Sequence, residues 1–249
     1  MLRALLARWN QGHRTAGYPG EPPSLPDRFR GRPVLDASRC PDGCRVCADA
    51  CPTGAVKTDP LRLDLGSCLF CVECQEACPE GAIGFTSDHR LAERAREDLV
   101  TSGDGRKRMA ALEARTLRLF RRSLKLRQVS AGGCNGCEAD VNVLGTVVFD
   151  LARFGIQFVA SPRHADGLLI TGPVTAHMKA ALAATWEAVP PPRIVIAVGA
   201  CAISGGPYAG HEEVNDGVGS MLSVDLYVPG CPPHPYTILD GLLGLLDRL

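Results

Sequence analysis

Cysteine is the residue type with the clearest chemistry in this 249-residue sequence, which contains twelve of them. Eight lie in two adjacent runs, Cys40-x3-Cys44-x2-Cys47-x3-Cys51-Pro52 and Cys68-x2-Cys71-x2-Cys74-x3-Cys78-Pro79. The other four are spread through glycine-rich motifs, at Cys134, Cys137, Cys201 and Cys231. Thiolates in such runs are ligands of iron–sulfur clusters, with four thiolates to each cubane. The twelve cysteines therefore predict three [4Fe–4S] clusters and a role in electron transfer.

The spacing of the cysteines also predicts which of them share a cluster. In doubled runs the C-x2-C-x2-C loop binds three corners of one cube, and the cysteine before proline binds the other cube. The predicted ligand sets are Cys40, Cys44, Cys47 and Cys78 for cluster 1, Cys68, Cys71, Cys74 and Cys51 for cluster 2, and Cys134, Cys137, Cys201 and Cys231 for the third. Three residues separate Cys40 from Cys44 where two are usual, and Gly43 allows the extra residue to bulge.

Two other uses of so many cysteines are disfavoured. Disulfides belong to secreted proteins, and no secretion signal precedes these tight, regular spacings. Zinc is the usual alternative for a cysteine-rich run, but two successive four-cysteine runs that each end in Cys-Pro are far more specific than an isolated C-x2-C pair.

Composition and charge argue against a nucleic-acid-binding, secreted or membrane-spanning protein. The formal net charge is zero and the pI is about 7, so nothing in the total charge indicates a nucleic-acid partner. The N-terminal residues 1–10 predict a short amphipathic helix, with too brief an apolar stretch for a secretion signal. No window approaches the length of a transmembrane segment. We therefore expect a cytoplasmic chain without a membrane span of its own.

Composition shifts divide the chain into four parts. Residues 1–36 predict the N-terminal helix and a proline-rich extended segment, and residues 37–87 a two-cluster ferredoxin domain with an internal repeat of about 27 residues. Residues 88–123 form a charged connector, predicted to be two helices around a break at residues 102–105. Residues 88–127 carry twelve basic and six acidic side chains. The connector is either a solvated linker or a docking surface for a partner subunit or an anionic membrane.

Residues 124–249 alternate apolar strands with helices, which predicts a parallel sheet covered on both faces. The predicted strands are residues 124–130, 156–160, 167–171, 193–198 and 225–228, and the predicted helices are residues 139–153, 175–188 and 234–248. Cys134 and Cys137, Cys201, and Cys231 each follow a strand. Since sites in such sheets form at the carboxyl ends of strands, we expect all four cysteines at one edge. The predicted fold class is α/β, a ferredoxin-like module followed by a doubly wound sheet.

Three other side chains near the third cysteine set could contribute. Glu138 follows Cys137 at a predicted helix N-terminus, where it either stabilises the helix dipole or relays protons. His164 is expected to make turn contacts before a strand. His234 follows Cys231 by three residues and could donate to the cluster or lie in an interface. Neither histidine is needed as a ligand, because the thiolates already suffice.

These motifs resemble two known subunits. Residues 16–87, with Gly66-Ser-Cys-Leu-Phe-Cys71, resemble the ferredoxin-like subunit of formate hydrogenlyase and the two-cluster subunit of complex I. Residues 124–249 are similar to the small subunit of group 4, energy-converting [NiFe] hydrogenases, in the complex I 20 kDa subunit family. The shared motifs include Gly133-Cys-Asn-Gly-Cys-Glu138, Gly199-Ala-Cys201 and Gly230-Cys-Pro-Pro233. The resemblance thus joins two usually separate subunits in one chain.

The resemblance implies a flavodoxin-like domain that holds a proximal cluster on Cys134, Cys137, Cys201 and Cys231. It implies partners as well: a [NiFe] hydrogenase-type large subunit, membrane-arm subunits that keep the chain on the inner face of the cell membrane, and an electron donor or acceptor such as a ferredoxin or a formate dehydrogenase iron–sulfur subunit. The expected activity is proton reduction or hydrogen oxidation at the large subunit's nickel–iron site.

There are three alternatives to the hydrogenase, of which the first two remain open. The quinone-reducing complex I subunit resembles this chain but has two adjacent cysteines where Asn135 and Gly136 separate Cys134 from Cys137. A related complex that has lost nickel would keep the same fold. A free-standing electron carrier is disfavoured, because a proximal-cluster domain functions beside a second active centre.

Overall fold

The computed structural model describes residues 2–103 and 109–249. Its first part contains short strands and helices around the two cysteine runs. These elements are α1 (Leu2–Gln11), β1 (Pro33–Leu35), α2 (Val46–Asp49), β2 (Val56–Thr58), β3 (Leu61–Asp64), α3 (Glu73–Ala77), β4 (Ile83–Phe85), β5 (Val100–Thr101) and α4 (Ala114–Phe120). β1 pairs with β4, and β2, β3 and β5 form a second antiparallel sheet in that order.

The second part is built on a five-stranded parallel sheet. Its elements are β6 (Leu124–Ser130), α5 (Gly136–Val143), β7 (Ile156–Phe158), β8 (Gly167–Thr171), α6 (Ala176–Glu187), β9 (Ile194–Val198), α7 (Ala200–Ser204), β10 (Leu226–Val228) and α8 (Pro235–Leu245). The strand order is β10-β9-β8-β6-β7, with every pair parallel. Read from the β7 edge and numbered within the sheet, this is the flavodoxin-like order 2-1-3-4-5. The predicted α/β class is confirmed.

Burial explains why these segments form the sheet. All residues of β8 and β9 are buried, as expected for central strands with helices on both faces. Side chains that alternate along β8 enter different cores: Leu168 and Ile170 join the core shared with the cysteine-rich part, and Leu169 joins the core under α8. Every residue of α8 is buried. The sheet is therefore covered on both faces, with one core on each side.

Two predictions about helices were wrong. Residues 139–153 form α5, a turn with Asp150 at a positive φ of 45°, and a 3-10 helix at Leu151–Phe154. In the connector, the described part of the first predicted helix is an extended segment with a 3-10 helix at Glu97–Leu99 and strand β5. Glu93 exchanges backbone hydrogen bonds with Tyr227 there, and these tertiary contacts override helix propensity. The second predicted helix is α4; residues 104–105 of the predicted break lie outside the described residues.

In the described residues, no helix is both long and apolar enough to cross a membrane. The predicted N-terminal helix is present as α1.

Candidate cofactor sites

The first cysteine set is assembled by crossing over between the two runs. Cys40, Cys44 and Cys47 come from the segment that leads into and forms α2, and Cys78 follows α3. Burial raises the pKa of the Cys40 thiol, and the neighbouring charges of Cys78 and Cys44 raise it further. The pKa of Cys47 is raised by burial and then by Cys78 and Cys40. Cys78 is thus a close electrostatic neighbour of the first run.

The second set also combines cysteines of both runs, with Cys51 of the first run beside Cys68, Cys71 and Cys74 of the second. Burial raises the pKa of Cys68 to about 12, and Cys74, Cys51 and Cys71 add to the shift. Burial raises the pKa of Cys74 to about 11, and Cys51 and Cys71 add to the shift. A small void lies among these side chains; its lining includes Cys51, Cys68, Cys71 and Cys74. The four cysteines of this set therefore face a common space.

Backbone N–H groups point at cysteine sulfurs in both sets. Ala55 N donates to Cys51 Sγ at 3.2 Å, Ala82 N donates to Cys78 Sγ at 3.3 Å, and Phe70 N donates to Cys68 Sγ at 3.3 Å. Burial raises the pKa of Cys51, but its backbone donors and the Thr53 hydroxyl outweigh burial and lower the pKa. Donors of this kind stabilise thiolate and raise the potential of a bound cluster.

The third set lies at the carboxyl edge of the parallel sheet, as the strand order requires. Cys134 and Cys137 follow β6, Cys201 lies in α7 after β9, and Cys231 follows β10. Burial raises the pKa of Cys137, and Cys201, Glu138, Cys231 and Cys134 add to the shift. The Cys201 pKa is raised to about 11, by burial and then by Cys231 and Cys134. The sheet brings together four cysteines that are far apart in sequence.

Glycines let the backbone approach these sulfurs. A Cβ at Gly199, whose φ is +91°, would stand 2.5 Å from Cys137 Sγ. A Cβ at Gly206, with φ +56°, would stand 3.0 Å from Cys201 Sγ. At both positions a side chain would displace the sulfur, so the glycines keep the space around the third set open.

The donor chemistry of the three sets fits iron–sulfur cubanes, because each set offers four thiols and a cubane binds four thiolates. With pKa values raised to about 11 or 12, Cys74, Cys201 and Cys68 are thiols at neutral pH unless a metal ion deprotonates them.

Glu138 lies behind the third set and is buried. Its Oε1 accepts hydrogen bonds from Ser130 Oγ and Thr171 Oγ1, both at 2.6 Å. Burial raises the pKa of Glu138, but these two hydroxyls outweigh it and hold the pKa below its usual range. Ser130 and Thr171 were missed by sequence reasoning, although each is a polar residue that ends an apolar strand. Their hydrogen bonds fix the carboxylate next to Cys137.

The two histidines take different positions. His164 is exposed at the end of a 3-10 helix, Pro162–His164, just before β8. His234 caps α8, accepting a hydrogen bond from Tyr236 N at 3.2 Å through Nδ1. Its ring stacks on Tyr236 and meets the edge of Phe29. His234 thus lies between the proline-rich segment and the sheet domain.

The second and third sets are neighbours across the seam between the two parts of the chain. Cys71 is among the charges that raise the pKa of Cys231, after burial and Cys134. Close by, Ser204 Oγ donates to the Gly66 carbonyl oxygen at 3.0 Å. Cys47 likewise contributes to the raised pKa of Cys74, which links the first set to the second. The three sets therefore follow one another through the molecule.

The fold and the cysteine positions define a class: a flavodoxin-like sheet with four cysteines at its carboxyl edge, joined to a module with eight more. The family model for the NADH ubiquinone oxidoreductase 20 kDa subunit matches residues 134–245. The chain belongs to this family of oxidoreductase subunits, which confirms the resemblance seen in residues 124–249.

Individual relatives are similar over about half of the chain. Formate hydrogenlyase subunit 7 of Escherichia coli is 43% identical over 143 residues, 56% of this chain and 56% of the relative. The probable membrane-bound hydrogenase subunit mbhJ of Pyrococcus furiosus is 39% identical over 150 residues, 60% of this chain and 90% of the relative. An NADH-quinone oxidoreductase subunit of Heliobacterium modesticaldum is 43% identical over 120 residues, 48% of this chain and 69% of the relative.

Among solved structures, a chain of the archaeal membrane-bound sulfane sulfur reductase has 34% sequence identity and a TM-score of 0.47, covering 53% of this chain and 72% of that one. The chain spans about half the length of the formate hydrogenlyase subunit and most of mbhJ.

Proposed function

We propose that this chain is the electron-relay subunit of a membrane-associated [NiFe] hydrogenase complex. Three [4Fe–4S] clusters, when bound, supply one-electron transfer. The supporting observation is that the twelve cysteines form three neighbouring sets, with Cys71 close to Cys231 across the seam. Such a series connects a surface donor to a site beyond the third set.

The proposed ligands are those expected from the spacing. Cys40, Cys44, Cys47 and Cys78 bind cluster 1, and Cys68, Cys71, Cys74 and Cys51 bind cluster 2. Cys134, Cys137, Cys201 and Cys231 bind the proximal cluster. The domains proposed to hold them are residues 37–87 for the ferredoxin part and residues 124–249 for the sheet, with residues 1–36 and 88–123 as the extended segment and connector.

Exposure of the third set supports a partner at this edge. Cys134 and Cys231 are exposed, whereas Cys201 is buried. Two exposed ligands leave one side of the set open to a docked surface. We propose that the [NiFe]-type large subunit covers it, that membrane-arm subunits hold the complex on the cytoplasmic face, and that a ferredoxin or formate dehydrogenase iron–sulfur subunit exchanges electrons with the cysteine-rich part.

The proposed role of Glu138 is to fix the position of α5 beside the third cysteine set, in addition to stabilising the helix dipole. Its carboxylate accepts from Ser130 and Thr171 at the sheet edge, so it braces α5 against β6 and β8. A proton-relay role remains the second proposal for this residue.

A quinone-linked complex is the second candidate function. The similarity to an NADH-quinone oxidoreductase subunit, 43% identical over 120 residues and 69% of that relative, supports this candidate, whereas mbhJ is matched over 150 residues and 90% of its length. The separation of Cys134 from Cys137 by two residues supports the hydrogenase, on the resemblance described above. A nickel-free relative of the hydrogenase would share that separation.

The deciding experiment is metal analysis of the intact complex, tagged on this chain and purified without oxygen. Three cubanes require about 12 iron atoms for each copy of this chain, beyond the iron of its partners. Nickel with the large subunit, together with hydrogen-dependent dye reduction, would establish the hydrogenase. Full iron without nickel would favour the quinone-linked or nickel-free complex, and iron far below about 12 would overturn the three-cluster proposal.

A further inference from the structure

The apolar side chains of helix α1 are exposed and do not contribute to either core. None of its ten residues is buried. Leu2, Leu5 and Leu6 are 73%, 64% and 55% exposed, and Trp9 is 88% exposed. Exposed single leucines are ordinary, but three leucines and a tryptophan in one short helix form a contiguous apolar surface.

The spacing of these residues places them on one face. With 3.6 residues per turn, Leu2, Leu5, Leu6 and Trp9 fall within a sector of roughly 100°. Arg3 and Arg8 lie on opposite sides of that sector, each roughly 110° from its centre. The helix therefore has an apolar face with an arginine on each flank.

The charge around α1 is one-sided. Arg3, Arg8 and Arg14 are basic, and the first acidic residue of the sequence is Glu21. The chain as a whole has a formal net charge of zero. Positive charge is thus concentrated on the segment that carries the uncovered apolar face, which complements an anionic surface.

The segment after α1 is attached beside further exposed apolar side chains. Thr15 Oγ1 donates to the Val147 carbonyl oxygen at 2.8 Å, and Ala16 N donates to the Val148 carbonyl oxygen at 2.9 Å. The side chains of Val147 and Val148 are 64% and 42% exposed. These bonds anchor the connection to α1 on the sheet domain next to a second apolar patch.

We propose that α1 lies in the interface of an anionic lipid membrane. Its leucines and Trp9 enter the boundary between headgroups and acyl chains, and Arg3 and Arg8 contact lipid phosphates. A leucine and tryptophan face with arginine flanks is the composition of an interfacial helix, and tryptophan concentrates at the headgroup level. The chain then contacts the bilayer directly, in addition to any contact through partner subunits.

Vesicle flotation of the full chain, purified anoxically, tests this proposal. Vesicles of phosphatidylcholine alone are compared with vesicles of equal parts phosphatidylcholine and phosphatidylglycerol. We expect binding to the anionic vesicles, with a blue shift of Trp9 fluorescence that the Trp9→Phe variant lacks. Leu5→Gln with Leu6→Gln should weaken binding by about tenfold or more, because two buried leucines are lost. Arg3→Gln with Arg8→Gln should weaken it by about fivefold for each charge removed.

The matched control is Val34→Gln on β1, an exposed apolar residue outside α1 and the connector, which is 52% exposed. This variant should bind like the unaltered chain. Because α1 has no buried residue, its variants should fold normally. Failure to float with anionic vesicles, or equal loss of binding in the Val34→Gln control, would overturn the proposal. The proposal would also be overturned if the Leu5→Gln, Leu6→Gln variant floated normally and the complex lost a protein subunit. That result would show that α1 binds a partner subunit and not lipid.

Discussion

At the scale of single residues, the burial of the cysteines determines their chemistry. Most of the thiols are partly or fully buried, and burial is the first cause of the raised pKa at Cys68, Cys74, Cys137 and Cys201. A buried thiol is a poor nucleophile and a poor disulfide partner, so these side chains are suited to a metal group that deprotonates them on binding. Removing one ligand should therefore affect one set and leave the others intact.

The variant Cys231→Ser should abolish hydrogen turnover by the complex and retain two ferredoxin-type signals in electron paramagnetic resonance. Cys231 belongs only to the third set, so clusters 1 and 2 keep all their proposed ligands. Cys71→Ser is the matched variant in the second set, and it should remove a different signal. Loss of all three signals in Cys231→Ser would contradict the division of the cysteines into separate sets.

Asp64 offers a prediction about stability that does not involve a ligand. Arg96 Nη1 and Nη2 donate to its carboxylate at 2.7 and 2.5 Å, and Ser67 Oγ donates at 2.8 Å. Burial raises the pKa of Asp64, but Arg96 and Ser67 outweigh it and lower the pKa below 3.8. The ionised form therefore stabilises the fold above pH 3.8, and this contribution is lost as the pH falls through the lower, folded-state pKa.

Asp64→Asn should reduce the free energy of unfolding by about 1–2 kcal/mol, because the partly buried donors of Arg96 lose a charged acceptor. The reduction should be the same at pH 7 and pH 5, measured from urea midpoints, because the carboxylate is ionised at both. Asp98→Asn, at an exposed position of the same segment, should change stability by less than about 0.5 kcal/mol. A reduction that disappears between pH 7 and pH 5 would contradict the lowered pKa of Asp64.

At the scale of elements, the strands of the sheet were predicted well from their apolar runs, whereas the structure of the charged connector was predicted poorly. β6 and β8 begin and end at the predicted residues. β8 is a fully buried apolar run, and in β6 the buried apolar residues are separated by exposed or half-buried polar ones, so both leave a recognisable pattern. The alanine, glutamate and arginine content of residues 88–101 predicts a helix, yet the segment is extended. Arg94 donates to the carbonyl oxygens of Ala111 and Asp225, partners that no local pattern reveals.

The cysteine sets differ in how far sequence could define them. The two runs can be recognised from their spacing alone, whereas the third set depends on the order of strands in the sheet, which places the ends of β6, β9 and β10 at one edge. No sequence pattern indicated the seam at which Cys71 lies near Cys231. That proximity depends on the packing of two separately encoded parts.

Helix α4 leads to a prediction about the connector. Arg118, Arg121 and Arg122 are exposed, as is the neighbouring Leu119, while Phe120 is buried and fixes the helix on the sheet domain. If this surface docks a partner, changing the three arginines to glutamate should reduce co-purification of partner subunits by tenfold or more (about 1.4 kcal/mol), because charge complementarity is reversed. Arg28→Glu with Arg62→Glu, at other exposed positions, is the control. Unchanged co-purification would favour the solvated linker.

At the scale of the whole molecule, the two parts share one core. The core that contains Leu63 and Leu65 of the cysteine-rich part also contains Ile203 and Val218 of the sheet domain. Ser204 bonds to the Gly66 carbonyl, and the Glu93 and Tyr227 backbones pair across the same boundary. A continuous core of this kind couples the stability of both parts, so we expect them to unfold together.

Gly66 is the residue where this coupling can be tested. A Cβ at Gly66 would stand 2.8 Å from Ile203 Cγ2 and equally close to the Arg96 guanidinium carbon, so there is no room for a side chain in the seam. Gly66→Val should lower the free energy of unfolding by about 1–3 kcal/mol through overpacking. It should also separate one unfolding transition into two, followed by circular dichroism for the sheet and by visible absorbance for the clusters. Gly84→Val is the matched control, since a Cβ there meets no atom within 4 Å. A single transition in Gly66→Val at unchanged stability would show that the seam does not couple the two parts.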